Sequence, residues 1–272
     1  MSIGFCMSPS IPPYRLKIER AKRHIVELTT EFQYFVDSQS YEIVTEDDGI
    51  SGQRLYKFKR KRCIPAEWST IIGDVIHNAR AALDILMVEV VRFCDPSRNC
   101  YNHVYFVIGK SKQKFEADLT KKTKGASADA QRILARLKPY KGGNEEFYRI
   151  HQLDITDKHK AIIPVGSAHR NLIFDAAEMI RKNFPEKFGS LPPTMIALRP
   201  TNRQFPLEDG MVLFTSGIDG PFENNVQFTI EIAFGEGQIL DGEPVLPALE
   251  QMCQFVEGVF NVFETELPGF GK

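Results

Sequence analysis

Between residues 14 and 35, apolar side chains recur at Tyr14, Ile18, Ala21, Ile25, Leu28, Phe32 and Phe35. Steps of four and three predict a long amphipathic helix. The next stretch, YEIVTEDDGISGQRLYKFKRKRC, alternates on both sides of an Asp-Gly turn and predicts a β-hairpin over 41–63. Apolar periodicity then predicts a helix from Glu67 to Phe93, ended by CDPSRN. HVYFVIG reads as a short strand or extended segment. Helices follow over 112–120 and 126–137, KPYKGGN breaks the chain, and another helix runs over 145–157. HKAIIPVG reads as extended, and 171–183 as a strand turning into a helix. The Pro- and Gly-rich stretch 190–222 has extended pieces at MIALRP and MVLFTS. NVQFTIEIAFGEG alternates at Val226, Phe228, Ile230, Ile232 and Phe234, the pattern of a half-buried strand. The closing PVLPALEQMCQFVEGVFNVFETEL is a helix apolar on most sides, hence largely buried.

Helices first and strands later give an α+β class, a helical bundle with a β-hairpin and an antiparallel sheet from the C-terminal half. The expected division is a mainly helical region over 1–160, carrying the hairpin 41–63. A β-rich region over 161–272 with a closing C-terminal helix follows, packed as one unit with the first.

Composition narrows this picture by exclusion. At 272 residues and 43% hydrophobic, the chain is large enough to bury a real core. No run approaches the roughly 18–20 apolar residues of a membrane span. The first twenty residues lack a basic segment followed by a long apolar one, so no signal peptide is expected. Five cysteines, Cys6, Cys63, Cys94, Cys100 and Cys253, are scattered without C-x-x-C spacing. A reducing cytoplasm is expected, with neither a disulfide framework nor a zinc knuckle. GxGxxG, GxxxxGK[ST] and GxSxG are all missing, so no nucleotide fold and no cofactor is expected. Cys253 falls in the apolar pattern of its helix, and Trp68 sits in a first turn where packing is the default role.

Net charge is −1 but uneven. Through Lys141 there are 24 Lys+Arg against 16 Asp+Glu, a balance of +8; the remainder has 10 against 19, a balance of −9. The densest block, RLYKFKRKR, holds Arg54, Lys57, Lys59, Arg60, Lys61 and Arg62. Such a strand serves either as a solvated edge that resists aggregation or as a contact for nucleic acid. Lys110, Lys112, Lys114, Lys121, Lys122 and Lys124 are candidates to extend the same surface.

The chemistry concentrates in two stretches. In GDVIHNARAALDIL, Ile72, Ile76, Ala79, Leu83, Leu86 and Val90 share one helix face at about 100° per residue. Gly73, His77, Arg80 and Asp84 form a second stripe about 120° away, with Asp74 and Asn78 turned to solvent. Gly73 allows close approach of a neighbouring backbone. In IHQLDITDKHK, Phe147, Ile150, His151 and Asp154 share a face, which sets a carboxylate in an apolar stripe. That is costly unless the group is paired, and Arg80, with its forked guanidinium, is the expected partner. Asp157, Lys158 and His159 stand at the helix end.

A cross-helix cluster of His77, Arg80, Asp84, Asp154, Asp157 and His159 follows, with three readings. It is a buried ion network that fixes register. Or it is an acid–base centre, in which imidazole moves protons, arginine steadies negative charge and aspartate orients the histidine. Or His77, His159 and a carboxylate hold a metal, although their spacing matches no established motif.

Both stretches also carry a resemblance. GDVIHNARAALDIL is similar to a G-D-x-x-H-N-x-R-x-A-L-D-x-L signature in a family of uncharacterised bacterial proteins. These also carry L-D-x-x-D-K-H, here Leu153, Asp154, Asp157, Lys158 and His159, together with a preceding hairpin, RLKPY and a closing GEPVLPALEQM helix. The resemblance spans most of the chain and implies a bacterial or phage-associated cytoplasmic protein. It brings no activity with it. The helical half also resembles HEPN domains, small helical bundles that are often ribonucleases, with R-[NDH]-x-x-x-H on a helix at a homodimer interface. RNCYNH, Arg98 to His103, matches that motif. Pro96 before it and HVYFVIG after it place it in a loop, so a degenerate HEPN-like centre on His77 and Arg80 is the preferred form.

The functional expectation is an RNA-directed hydrolase or nucleic-acid-associated defence factor. His77 would move the proton, Arg80 would stabilise phosphate charge, Asp84 or Asp154 would orient the pair, and the basic hairpin would guide RNA. The alternative is a non-enzymatic interaction protein whose cluster is structural.

Overall fold

The computed structural model describes residues 11–159, 164–198, 205–218, 227–235, 237 and 239–271. In chain order these form α1 (Pro13–Asp37), β1 (Tyr41–Asp48), β2 (Gln53–Arg60), α2 (Glu67–Cys94), α3 (Lys112–Lys122), α4 (Ala128–Leu137) and α5 (Glu145–His159). There follow β3 (Pro164–Asp175), α6 (Ala176–Asn183), α7 (Pro185–Phe188), β4 (Met195–Leu198), β5 (Val212–Gly217), β6 (Gln227–Phe234) and α8 (Val245–Glu266). The class is α+β. Most predicted elements are found within a few residues of their expected ends. No helix among the described residues is long and apolar enough to cross a membrane.

The chain folds as two compact units that interleave along the sequence. The first holds Met1–Thr29, Glu67–Ile162 and Leu246–Lys272; the second holds Thr30–Ala66 and Ile163–Val245. This differs from a linear division at residue 160. The hairpin groups with the later strands, because β2 lends its free edge to β5, and the closing helix α8 groups with the early helices.

The first unit is helical and centred on α2. Ile72, Ile76, Ala79, Leu83, Leu86 and Val90 are all fully buried, as their shared face requires. Tyr14 of α1 meets Phe260 of α8 edge-on at 4.9 Å, and its hydroxyl donates to Glu264 at 2.8 Å. Arg15 and Lys22 bind Glu264 and Glu257 across the same pair of helices. Trp68 and Cys253 are core residues. Burial pushes the Cys253 thiol up to about 12, which leaves it a poor nucleophile.

The second unit is built on two three-stranded antiparallel sheets, ordered β1-β2-β5 and β4-β3-β6. Phe58 and Leu213 from the first sheet and Ile230 from the second share a core with Leu207. The hairpin turn is longer than a bare Asp-Gly pair. Asp48 accepts from the Ile50 amide and the Ser51 hydroxyl, and Gly52 takes a left-handed φ of 65°.

One expectation is narrowed and one corrected. Of the two forms expected for HVYFVIG, strand or extended segment, no strand forms; its one ladder contact is an isolated bridge, Gly109 to Tyr140. Side chains of α2 hold the backbone of Phe106, while the Tyr105 and Gly109 amides donate to the carbonyls of Lys122 and Pro139. Asn78 is buried rather than solvent-facing, accepting from Lys17 at 3.3 Å and donating to the Asp74 carbonyl at 2.7 Å. Val226, residues 160–163 and part of MIALRP lie outside the described residues.

Candidate functional site

The two polar stripes meet. Asp157 of α5 lies over Gly73 of α2, and His77 Nδ1 is 3.0 Å from Asp154 Oδ1. One turn further, the positive charge of Arg80 acts on His151. The partners rise along α2 as they fall along α5, so the helices run antiparallel with their stripes in register. Four-and-three spacing on α2 and three-residue spacing on α5 bring one residue of each to every turn.

At Gly73 the reason for glycine is steric. A Cβ there would stand 2.2 Å from Asp157 Oδ1 and 2.7 Å from Cγ. The neighbour is thus a carboxyl group rather than a backbone. Gly73→Ala is expected to lower stability by about 1–3 kcal/mol through overpacking, although alanine is the better helix former by about 1 kcal/mol. In an Asp157→Ala background the clashing atoms are gone, and the same change should become neutral or stabilising. A double-mutant cycle in urea reads this coupling, and additivity of the two changes would refute it.

Arg80 does not pair with Asp154. Its NH1 donates to Asp84 Oδ1 at 2.7 Å and its NH2 to the Phe106 carbonyl at 3.1 Å, while Asp84 Oδ1 also accepts the Phe106 amide at 3.0 Å. One i,i+4 pair on α2 therefore grips both backbone groups of Phe106. The ring of Phe106 is buried and stacks on Phe147 of α5 at 5.3 Å. With its side chain 9% exposed and both terminal nitrogens bonded, the guanidinium is a clamp on Phe106 and is poorly placed to meet a phosphate. Burial pushes the Asp84 carboxyl up, opposed by Arg80 and the Phe106 amide.

Asp154 instead serves His77 and Lys158. Its side chain is 4% exposed, and Lys158 Nζ binds Oδ2 at 2.6 Å while His77 holds Oδ1. A carboxylate held by an ammonium only accepts hydrogen bonds, so Nδ1 of His77 carries the donated proton. Nε2 then has no protein partner among the described residues, and the His77 side chain remains 48% exposed. An imidazole fixed by a buried carboxylate, with its second nitrogen open to water, can take up and release a proton on a bound molecule.

The remaining expected members differ. Asp157 is half-buried, and burial together with Asp154 and Asp74 pushes its carboxyl up. His159 is exposed and makes no hydrogen bond or ion pair among the described residues. No three His, Cys, Asp or Glu side chains among the described residues are placed to hold a metal ion. RNCYNH lies in irregular chain after α2, where Arg98 donates to the carbonyls of Cys100 and Lys124, and His103 is exposed.

His151 was legible on the α5 face but not as a member of the site. Its Nδ1 is buried without a hydrogen-bond partner. Burial first, then Arg80, pushes its pKa down to about 4. The unfolded chain, with an ordinary imidazole near 6.5, binds the proton first, so stability falls as pH drops from about 6.5 to about 4. Solvent screening at this half-buried position holds the loss to about 1–2 kcal/mol. His151→Leu should flatten that part of the stability–pH curve relative to the parent chain. A stability loss between pH 6.5 and pH 4.5 in His151→Leu equal to the parent's, read from urea unfolding at each pH, would remove His151 as the cause.

The basic hairpin is largely neutralised by its own partner strand. Arg54 grips Asp47 through two bonds of 2.6 and 2.9 Å. Lys57 binds Glu46, and Lys59 and Lys61 both bind Glu42. Arg60 and Arg62 are exposed and have no side-chain ion pair among the described residues. Counted by unit, the helical unit has 22 Lys+Arg against 18 Asp+Glu, a balance of +4. The unit with the hairpin has 12 against 17, a balance of −5.

Compared with protein-family models, curated proteins and solved structures, the chain matches none.

Proposed function

We propose that the chain is a hydrolase acting on RNA, with His77 as the proton-transfer group. The observation that carries this is the pairing of a half-exposed imidazole with a carboxylate almost wholly removed from water, at 3.0 Å. In this reading Nε2 of His77 takes the proton from a ribose 2′-hydroxyl as that oxygen attacks the adjacent phosphorus. A new P–O bond forms as the bond to the 5′-oxygen breaks. Asp157, whose carboxyl is pushed up, is suited to give the leaving oxygen a proton. Lys158, half-exposed beside His77, replaces Arg80 as the cation for the phosphate. The positive balance of the helical unit supports an anionic polymer as substrate. A cytoplasmic location and a bacterial or phage-defence setting, with a homodimer as in HEPN domains, complete the proposal.

The test is purified protein against a panel of single-stranded and structured RNAs, with and without divalent cation. Cleavage by the parent chain and its loss in folded His77→Ala support the reading. Intact RNA across the panel ends it.

A second reading, a non-enzymatic interaction protein, is favoured by the closed Arg80–Asp84–Phe106 clamp. That clamp uses polar groups of the stripe to hold the fold. It predicts no turnover by the parent chain and a large loss of stability on breaking the clamp.

A further inference from the structure

We infer that the second unit carries a binding pocket for a small carboxylate with an apolar tail. The pocket encloses about 260 Å³. That is near the lower end of the range for small-molecule sites and too small for a polymer. Its walls include Phe35, Tyr41, Phe58, Leu207, Ile230 and Ile232, drawn from the last turns of α1, both hairpin strands, the segment before β5, and β6. Phe58, Leu207 and Ile230 belong to the unit's core, so the walls are anchored by packing rather than by loops alone.

Arg60 and Arg62 complete the lining. They are the two cations of RLYKFKRKR that the acidic strand leaves without an ion pair among the described residues, while the other four are held by Asp47, Glu46 and Glu42. The Asp209 carboxylate accepts the Arg60 backbone amide at 2.8 Å. Ser40 fixes the backbone that carries the second guanidinium. Its carbonyl accepts the amides of Lys61 and Arg62 at 2.8 and 3.0 Å, and the residue, itself buried, lines the same cavity. Two guanidinium-bearing side chains lining an apolar cavity favour an oxyanion head joined to an apolar body. Each forked group matches a carboxylate in geometry and charge, and the tail gains from leaving water.

The occupant is therefore an alkanoic or arylalkanoic acid, and octanoate is the probe. Calorimetric titration of the full chain should show one octanoate bound per chain, with octanamide at least about tenfold weaker, the worth of one charge-assisted contact. The double variant R60Q/R62Q changes only exposed side chains and should fold as the parent does. It should lose the preference for octanoate over octanamide. Methyl resonances of Ile230 and Ile232 should shift on octanoate addition. An absence of heat and of methyl shifts, equal affinity for acid and amide, or an unchanged preference in R60Q/R62Q would each overturn the inference.

Discussion

Arg80→Ala is expected to destabilise the helical unit by about 3 kcal/mol, the cost of removing one partner of a buried pair. Two losses combine. The Phe106 carbonyl loses its donor, and Asp84 keeps a charge that is only one-third exposed. A buried acceptor without a partner costs about 1–3 kcal/mol. Arg80→Lys should recover little, because a single ammonium cannot reach Asp84 and the Phe106 carbonyl in the planar fork that arginine offers. Arg80→Ala combined with Asp84→Ala should be less harmful than the sum of the singles, since the orphaned charge is then gone. Urea midpoints report all of these, and an unmoved midpoint in Arg80→Ala would show that the clamp is not structural.

The second large effect lies in activity. If the chain cleaves RNA, His77→Ala should reduce the rate by about 10²–10⁴-fold, the usual worth of a positioned acid or base. Asp154→Asn should cost a comparable factor while leaving the fold in place. An amide in that position keeps the volume but can present its NH₂ to Nδ1, which would turn the proton to Nε2 and remove the free lone pair. Asp154→Ala should be milder for stability than Arg80→Ala, because both partners of Asp154, His77 and Lys158, are half-exposed and can rehydrate. Rates from His77→Ala and Asp154→Asn equal to the parent's, with RNA still cleaved, would move the chemistry elsewhere.

The two effects separate roles that a helical wheel places together. His77 and Arg80 are three residues apart on one stripe, and sequence spacing alone assigns both to one centre. In the fold Arg80 turns to the Phe106 backbone and Asp84, whereas His77 turns to Asp154. The stripe was legible because 3.6-residue periodicity sets which side chains share a face. Partner choice was not, because it depends on which backbone groups a distant loop brings to the helix, and buried backbone groups must be satisfied. The same loop explains why HVYFVIG forms no strand: Val104, Phe106 and Val107 are core, but Arg80, Asp84 and scattered backbone carbonyls rather than a neighbouring strand take up its hydrogen bonds.

Charge shows the same division. Six cations in nine residues look like a basic surface in sequence. The hairpin's own register sets Asp47 opposite Arg54 and Glu42 opposite Lys59, so much of that charge is matched within the sheet.

From the sequence alone follow the element order, the α+β class, the buried face of α2 and the pairing of GDVIHNARAALDIL with LDITDKH. Each rests on local periodicity or on the cost of an isolated buried charge. Tertiary structure alone decided that α8 rejoins the early helices, that Arg80 is a clamp, that His151 is a neutral neighbour and that His77 faces water. Those outcomes depend on burial and on partners distant in the chain, which no local pattern encodes.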